Sequence, residues 1–162
     1  AALTRGLEGM GFVNLNNQAA RLTLRDTAVD FIGLNDPHIR YDNVAKLDEA
    51  INELPQDDGT SAVRIGVVHA PYQHALGQLL DRDAGLILAG HTHGGQVRVP
   101  GVGALTANCD LPTHQARGLS VWYDAQQAAF LNVSAGWGAS IYAPIRFACR
   151  PEASLLTLEA AR

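Results

Sequence analysis

The sequence predicts an α/β fold: mixed β-sheet layers flanked by helices. Two observations carry the prediction. Between residues 28 and 89, short apolar runs of β-favouring residues alternate with stretches of helical periodicity, in the order strand, helix, strand, helix, strand. That order implies parallel strands joined by helical crossovers. The three strand ends are all polar: Asn35-Asp36-Pro37-His38, His69-Ala70-Pro71 and Gly90-His91-Thr92-His93-Gly94-Gly95. Parallel strands place their carboxyl ends on one edge, where open α/β sheets bind ligands.

Each element has its own warrant. AALTRGLEGMG (1–11) reads as the tail of a helix closed by Gly9 and Gly11. RLTL (21–24) and AVDFIGL (28–34) read as strands around a short turn at Asp26. DNVAKLDEAINEL (42–54) is an amphipathic helix, with Asp42 as N-cap, Val44, Leu47, Ile51 and Leu54 as its apolar stripe, and Pro55 as its stop. AVRIGVV (62–68) is a strand, YQHALGQLLDRD (72–83) a helix and GLILA (85–89) a buried strand. Beyond the glycine-rich loop, LSVWYD and AAFLNVS read as antiparallel strands and SLLTL (154–158) as a further strand. Without an internal repeat or long linker, residues 1–162 form one domain.

With 47% hydrophobic and 17% charged residues, the chain is globular and long enough to bury a core. A net charge of -4 argues against general nucleic-acid binding. No apolar run approaches the ~20 residues that span a bilayer. The opening residues lack the charged-then-apolar order of a signal peptide. The chain opens on Ala1 rather than methionine, which points to a start inside a longer gene product. Cys109 and Cys149 read as two buried free thiols, and with no CxxC spacing a cysteine-type zinc site is excluded.

The chemistry concentrates in AGHTHGGQ (89–96). In an extended backbone residues two apart point the same way, so His91 and His93 can face one point, with glycines on both sides permitting a sharp turn. His69 joins them at the same rim. Three imidazoles suit zinc, iron or manganese rather than calcium or magnesium alone. One metal with an open position for water is one arrangement such a set allows. An HxH pair also opens the sites of amidohydrolases and metallo-β-lactamases. The chain is too short for the barrel of the first, and Gly94-Gly95-Gln96 stand where the second expects Asp-His.

Asp36 and His38 fall at the same rim, where they can contact substrate or simply build a turn on Asn35-Asp36-Pro37. His74 and His114 read as solvated. Trp137 and Tyr142 either line a substrate groove or pack in the core. Ser134 and Ser140 lack a GxSxG elbow, and no strand precedes Gly6, Gly9 and Gly11, so they form no dinucleotide fingerprint.

GVVHAPYQHALGQLLDRDAGLILAGHTHGGQVRVP (66–100), followed by LNVSAGWGAS and APIRFACRPEASLLTL, resembles the C-terminal half of a calcineurin-like metallophosphoesterase. The likeness is to the bacterial subgroup ending in GHTHGGQ and RFxCRPE, particularly its actinobacterial members. It implies that the chain is the C-terminal part of a two-layer β-sandwich. It also implies a dinuclear centre of manganese, iron or zinc that hydrolyses phosphoesters by a metal-activated hydroxide attacking phosphorus. By the same resemblance His69 and His91 are ligands of the second metal and His93 a ligand of the first.

The family's DxH, GDxxD and GNH(D/E) motifs, which supply its aspartates, bridging carboxylate, asparagine ligand and acid histidine, are absent in order. Asp36-Pro37-His38 imitates DxH, but no GDxxD or GNH lies between it and His69; it corresponds to the loop that relatives write GxDDP. The usual HNP reads His69-Ala70-Pro71, which keeps the imidazole. Two divalent ions ~3.5–4 Å apart repel strongly and need anionic ligands to coexist, which three neutral histidines do not provide. The chain therefore carries half of a site. Two functions remain: part of a metal-dependent phosphoester hydrolase, inactive as this chain alone, or a non-catalytic metal-binding or scaffold module. The partners expected are a phosphoester substrate and, over the apolar surface a missing sheet would leave, the N-terminal half of the same protein or a second copy.

Overall fold

The computed structural model describes residues 2–55, 63–140 and 142–159. A short helix, α1 (Ala2–Glu8), leads into a hairpin of β1 (Gln18–Leu24) and β2 (Thr27–Leu34). Its two-residue turn, Arg25-Asp26, has positive φ at both positions (48° and 68°), the hairpin geometry that matches strand twist. Helix α2 (Val44–Asn52), β3 (Val63–Val68), α3 (Gln73–Leu80) and β4 (Leu86–Ala89) follow. After the glycine-rich turn come a small ribbon, β5 (Arg98–Val99) with β6 (Gly103–Ala104), and then a second hairpin, β7 (Gly118–Tyr123) with β8 (Ala128–Val133).

The main sheet has six strands in the order β1-β2-β3-β4-β8-β7. Strands β2, β3, β4 and β8 run parallel, and antiparallel β1 and β7 form its edges. This is a mixed α/β architecture with helices against the sheet. Both crossover helices lie on one face: Leu47 of α2 and Leu76, Leu79 and Leu80 of α3 pack with Ile32, Leu34, Val68, Ile87, Leu131 and Val133. The apolar cluster on the opposite face is smaller: Val29, Ile65 and Leu86 are buried, with Phe31, Val67, Leu88 and Leu156 partly covered. Among the described residues no helix is long and apolar enough to cross a membrane.

Three expectations are corrected. The N-cap of α2 is Asn43, whose side chain accepts from the Lys46 amide, not Asp42; Asp42 instead faces His74 at 3.2 Å. SLLTL forms no strand: residues 154–158 pair with nothing among the described residues, and the apolar run acts by laying Leu156 over the thinly covered face. The parallel set has four members rather than three, because β8 pairs parallel with β4 and so brings Ser134–Gly138 to the same edge. The expected strand start at Ala62 lies outside the described residues.

Candidate metal centre

The carboxyl end of β3 delivers His69, and the Gly90 amide donates to its carbonyl at 2.9 Å, tying that end to the end of β4. The turn that follows β4 is not extended. His91 and His93 have φ of 66° and 50°, Gly94 and Gly95 are also left-handed, and Thr92 between the histidines is helical. The expected period-two alignment therefore fails, and the partner of His91 is His69. His91 Nδ1 stands 3.3 Å from His69 Nε2, with the rings edge to face at 5.1 Å between centroids. His93 opens on the same cavity, of about 510 Å³, which Asp36, His38, Asn108 and Tyr142 also line.

What holds the turn is largely polar. The buried Thr92 hydroxyl donates to the Ala116 carbonyl at 2.6 Å and accepts from the Gly94 amide. Gln96 donates its amide to the Ala143 carbonyl and accepts from the Ser140 amide at 2.8 Å. The buried Cys149 thiol donates to the His93 carbonyl at 3.3 Å. Both cysteines are free thiols, as read, and burial pushes the Cys109 thiol up; Cys149 is buried and Cys109 half-buried.

The surroundings of His91 and His93 favour their neutral forms. Burial lowers the pKa of His91 first, and the neighbouring His69 and His38 lower it further, against a hydrogen bond to the Asn108 backbone. Burial and then the Arg146 guanidinium lower that of His93, while the Gly138 backbone, a hydrogen-bond partner of its ring, acts in the opposite direction. His91 Nε2 lies 3.2 Å from the Asn108 carbonyl and 3.1 Å from its side-chain amide. With the proton on Nε2 donated to that carbonyl, Nδ1 presents its lone pair toward His69.

The Asp36 carboxylate accepts from the His38 amide at 2.9 Å and so builds the turn, yet both residues line the cavity. His38 also stacks obliquely on His91 at 4.7 Å and shares a hydrogen bond with the Tyr72 hydroxyl at 2.9 Å. Tyr142 and Trp137 are 93% and 78% exposed, which removes the core-packing alternative for both. His74 stays at the surface.

The chain is similar to the uncharacterized protein YpbG of Bacillus subtilis (strain 168), with 29% identity over 150 residues. The alignment covers 91% of this chain and 49% of that protein, so the chain spans about half the length of the curated relative it matches. No family model and no solved structure matches the chain.

Among the described residues no three His, Cys, Asp or Glu side chains stand together as a ready cage for an ion. The donors that do meet, His69 and His91, fit one edge of a coordination shell. Two nitrogens bound at ~2.0–2.1 Å in tetrahedral geometry stand about 3.3 Å apart. Two residues that sequence reasoning passed over shape this rim. Asn17, buried and left-handed (φ 54°), accepts from the amides of Asn35 and Asn43 and donates to the Tyr41 carbonyl, each at 2.9 Å, pinning the loop that carries Asp36 and His38. Arg146 binds the loop that follows β8, donating to the Ala135 carbonyl at 2.6 Å. A buried asparagine before a strand has no sequence signal of its own; the arginine lay inside the RFxCRPE motif but carried no assigned role.

Proposed function

We propose that this chain is the C-terminal part of a calcineurin-like, divalent-metal-dependent phosphoester hydrolase, completing a two-layer β-sandwich with a segment outside residues 1–162. The observation that carries the reading is the 3.3 Å approach of His69 Nε2 and His91 Nδ1 at the carboxyl edge of a parallel sheet, beside His93 and a cavity large enough for a small phosphoester. His69 and His91 would hold one manganese, iron or zinc ion and His93 a second. When bound, such ions supply positive charge to a phosphoryl oxygen and acidify a water. The protein's own residues set the rest. Burial favours the neutral form of His91, whose lone pair is then free, and Asp36 and His38 line the side of the cavity from which substrate would be contacted.

A second reading is a scaffold module that keeps the fold and binds one ion weakly or none. It is favoured by the absence of a three-donor group among the described residues and by a cavity lining with a single carboxylate, Asp36. Metal content and phosphodiesterase rate separate the two, measured with manganese or zinc on residues 1–162 and on the protein extended upstream. The hydrolase reading expects robust turnover of bis(p-nitrophenyl) phosphate by the longer protein, abolished by His91→Ala, and little by residues 1–162. Turnover that survives His91→Ala, or none from the extended protein, rejects it.

A further inference from the structure

Two supports meet at His38. One is the single helical turn Pro37–Ile39 that carries it: Pro37 is buried and the Asp36 carboxylate accepts from the His38 amide at 2.9 Å. Asn17 pins the chain on both sides of that turn, at the amides of Asn35 and Asn43. The other support is Tyr72, at the N-cap of α3. Its amide donates to the Ala70 carbonyl at 2.9 Å, and its carbonyl accepts from the Leu76 amide at 3.0 Å. Gln73 beside it is moored as well, its amide donating to the Asp110 carboxylate at 2.8 Å and its side chain to the Asp110 carbonyl at 2.6 Å. Between the two supports the Tyr72 hydroxyl and His38 Nδ1 stand 2.9 Å apart. Nδ1 is thereby taken. Among the described residues no hydrogen bond engages Nε2, and His38 lines the cavity whereas Tyr72 does not.

We propose that Tyr72 is a positioning residue for His38: its phenol donates to Nδ1 and so leaves Nε2–H as a hydrogen-bond donor for a phosphoryl oxygen of the substrate. The substrate half of this inference rests on the phosphoester reading above; the Tyr72–His38 bond does not. A neutral imidazole has one donor and one acceptor nitrogen, and the partner at one of them selects which. Tyr72 arrives as the donor. Burial, and then the nearby Cys109 and Asp110, raise its pKa, so the phenol keeps its proton. Among the described residues His38 Nδ1 is the acceptor that proton reaches. An uncharged donor also suits the position. His38 lies 4.7 Å, ring to ring, from His91, where a permanent cation would repel an ion held by His69 and His91. An imidazole N–H binds an anionic oxygen there without adding charge.

The bond is read first, without metal or substrate. The full chain is labelled with 15N-histidine and kept at pH 8, above the ordinary imidazole pKa of about 6.5. Long-range 1H–15N spectra should show His38 protonated on Nε2, with its Nδ1 resonance displaced from the free value by the accepted bond. Tyr72→Phe, which removes one oxygen and keeps the ring, should return that resonance to the free value. Tyr41→Phe, an exposed phenol on the same loop, should leave it where it was. A wild-type His38 protonated on Nδ1, or an Nδ1 resonance indifferent to Tyr72→Phe, overturns the proposal. The substrate half is read in the upstream-extended protein with manganese and bis(p-nitrophenyl) phosphate. His38→Ala should lower kcat/KM about 10–100-fold and Tyr72→Phe about 3-fold, the range for losing and for loosening a hydrogen bond to a charged group. The double variant should match His38→Ala, because Tyr72 acts through His38, and metal content should stay the same in all three. Losses that add in the double variant, or a wild-type rate in His38→Ala, remove the donor role. No turnover by the unmodified extended protein rejects the hydrolase reading and the substrate half with it, while the Nδ1 resonance still decides whether Tyr72 holds His38.

Discussion

At Gly95 the backbone has φ 78°, and a Cβ there would stand 2.3 Å from the Ala104 Cβ and 2.7 Å from the Thr106 carbonyl oxygen. The left-handed backbone costs a residue with a Cβ roughly 1–2 kcal/mol, and overpacking a tight site adds about 1–3 kcal/mol. Gly95→Ala should therefore lower the melting temperature by about 5–15 °C in a chain of this size. Gly90→Ala, whose nearest contact would be the His69 carbonyl at 3.8 Å, should shift it by little. Calorimetry of the two variants checks the pair, and equal shifts would mean that the turn is not held as described. At this scale the sequence was legible in kind but not in geometry. His69, His91 and His93 do line one cavity, and the glycines do permit a sharp turn. The pairing is different, however, because positive φ at both His91 and His93 breaks the alternation on which an i, i+2 argument depends.

Strand β2 carries a buried carboxylate, Asp30, between two arginines on neighbouring strands. Arg21 stands opposite it on β1 and donates at 2.6 and 3.0 Å; Arg64 stands opposite it on β3, with a donor at 3.5 Å. The hydrogen bond from Arg21 is the main cause that holds the Asp30 carboxyl below its usual range, with Arg64 adding to it and burial opposing. A depressed carboxyl stabilises the fold above its unfolded pKa, near 3.9. That contribution disappears as pH falls through the lower folded value. Asp30→Asn should cost about 3 kcal/mol at neutral pH, and its deficit against the wild type should shrink in denaturant titrations below about pH 4. A deficit independent of pH would assign the loss to packing alone. Helix α2 offers a smaller test. Asn43→Ala should cost about 1 kcal/mol and Asp42→Ala less, because only Asn43 caps the helix. The periodic elements were readable because an apolar stripe and a strand alternation are local patterns. The cap was misread by one residue because Asp and Asn satisfy the same rule, and the parallel pairing of β4 with β8 was invisible because a 38-residue gap separates Ala89 from Ala128 in the chain.

The sheet is asymmetric: helices cover one face, and the other is apolar but thinly covered. Across it Phe130 lies directly opposite Val121 on β7 and Leu86 on β4, and Leu119 and Tyr123 share that face at the β7 edge. Phe130 and Leu119 are 58% and 59% exposed. A contiguous apolar surface of this kind on one sheet face is ordinarily an interface. On the proposed reading it receives the second layer of the sandwich, which fits the alignment of this chain with only half of YpbG. Residues 1–162 alone should then bind the dye 1-anilinonaphthalene-8-sulfonate and self-associate at micromolar concentration in sedimentation experiments. Phe130→Glu should suppress both, because a charge at the centre of the patch interrupts it without touching the helix-covered core. Co-expression with the upstream segment should quench dye binding to the same extent and raise metal content, since the layer that covers this face would bring carboxylates to the rim where, among the described residues, Asp36 is the carboxylate that lines the cavity with the three imidazoles. Dye binding that persists at full strength in the extended protein would show that the face belongs to another partner, and the hydrolase reading would lose its structural basis.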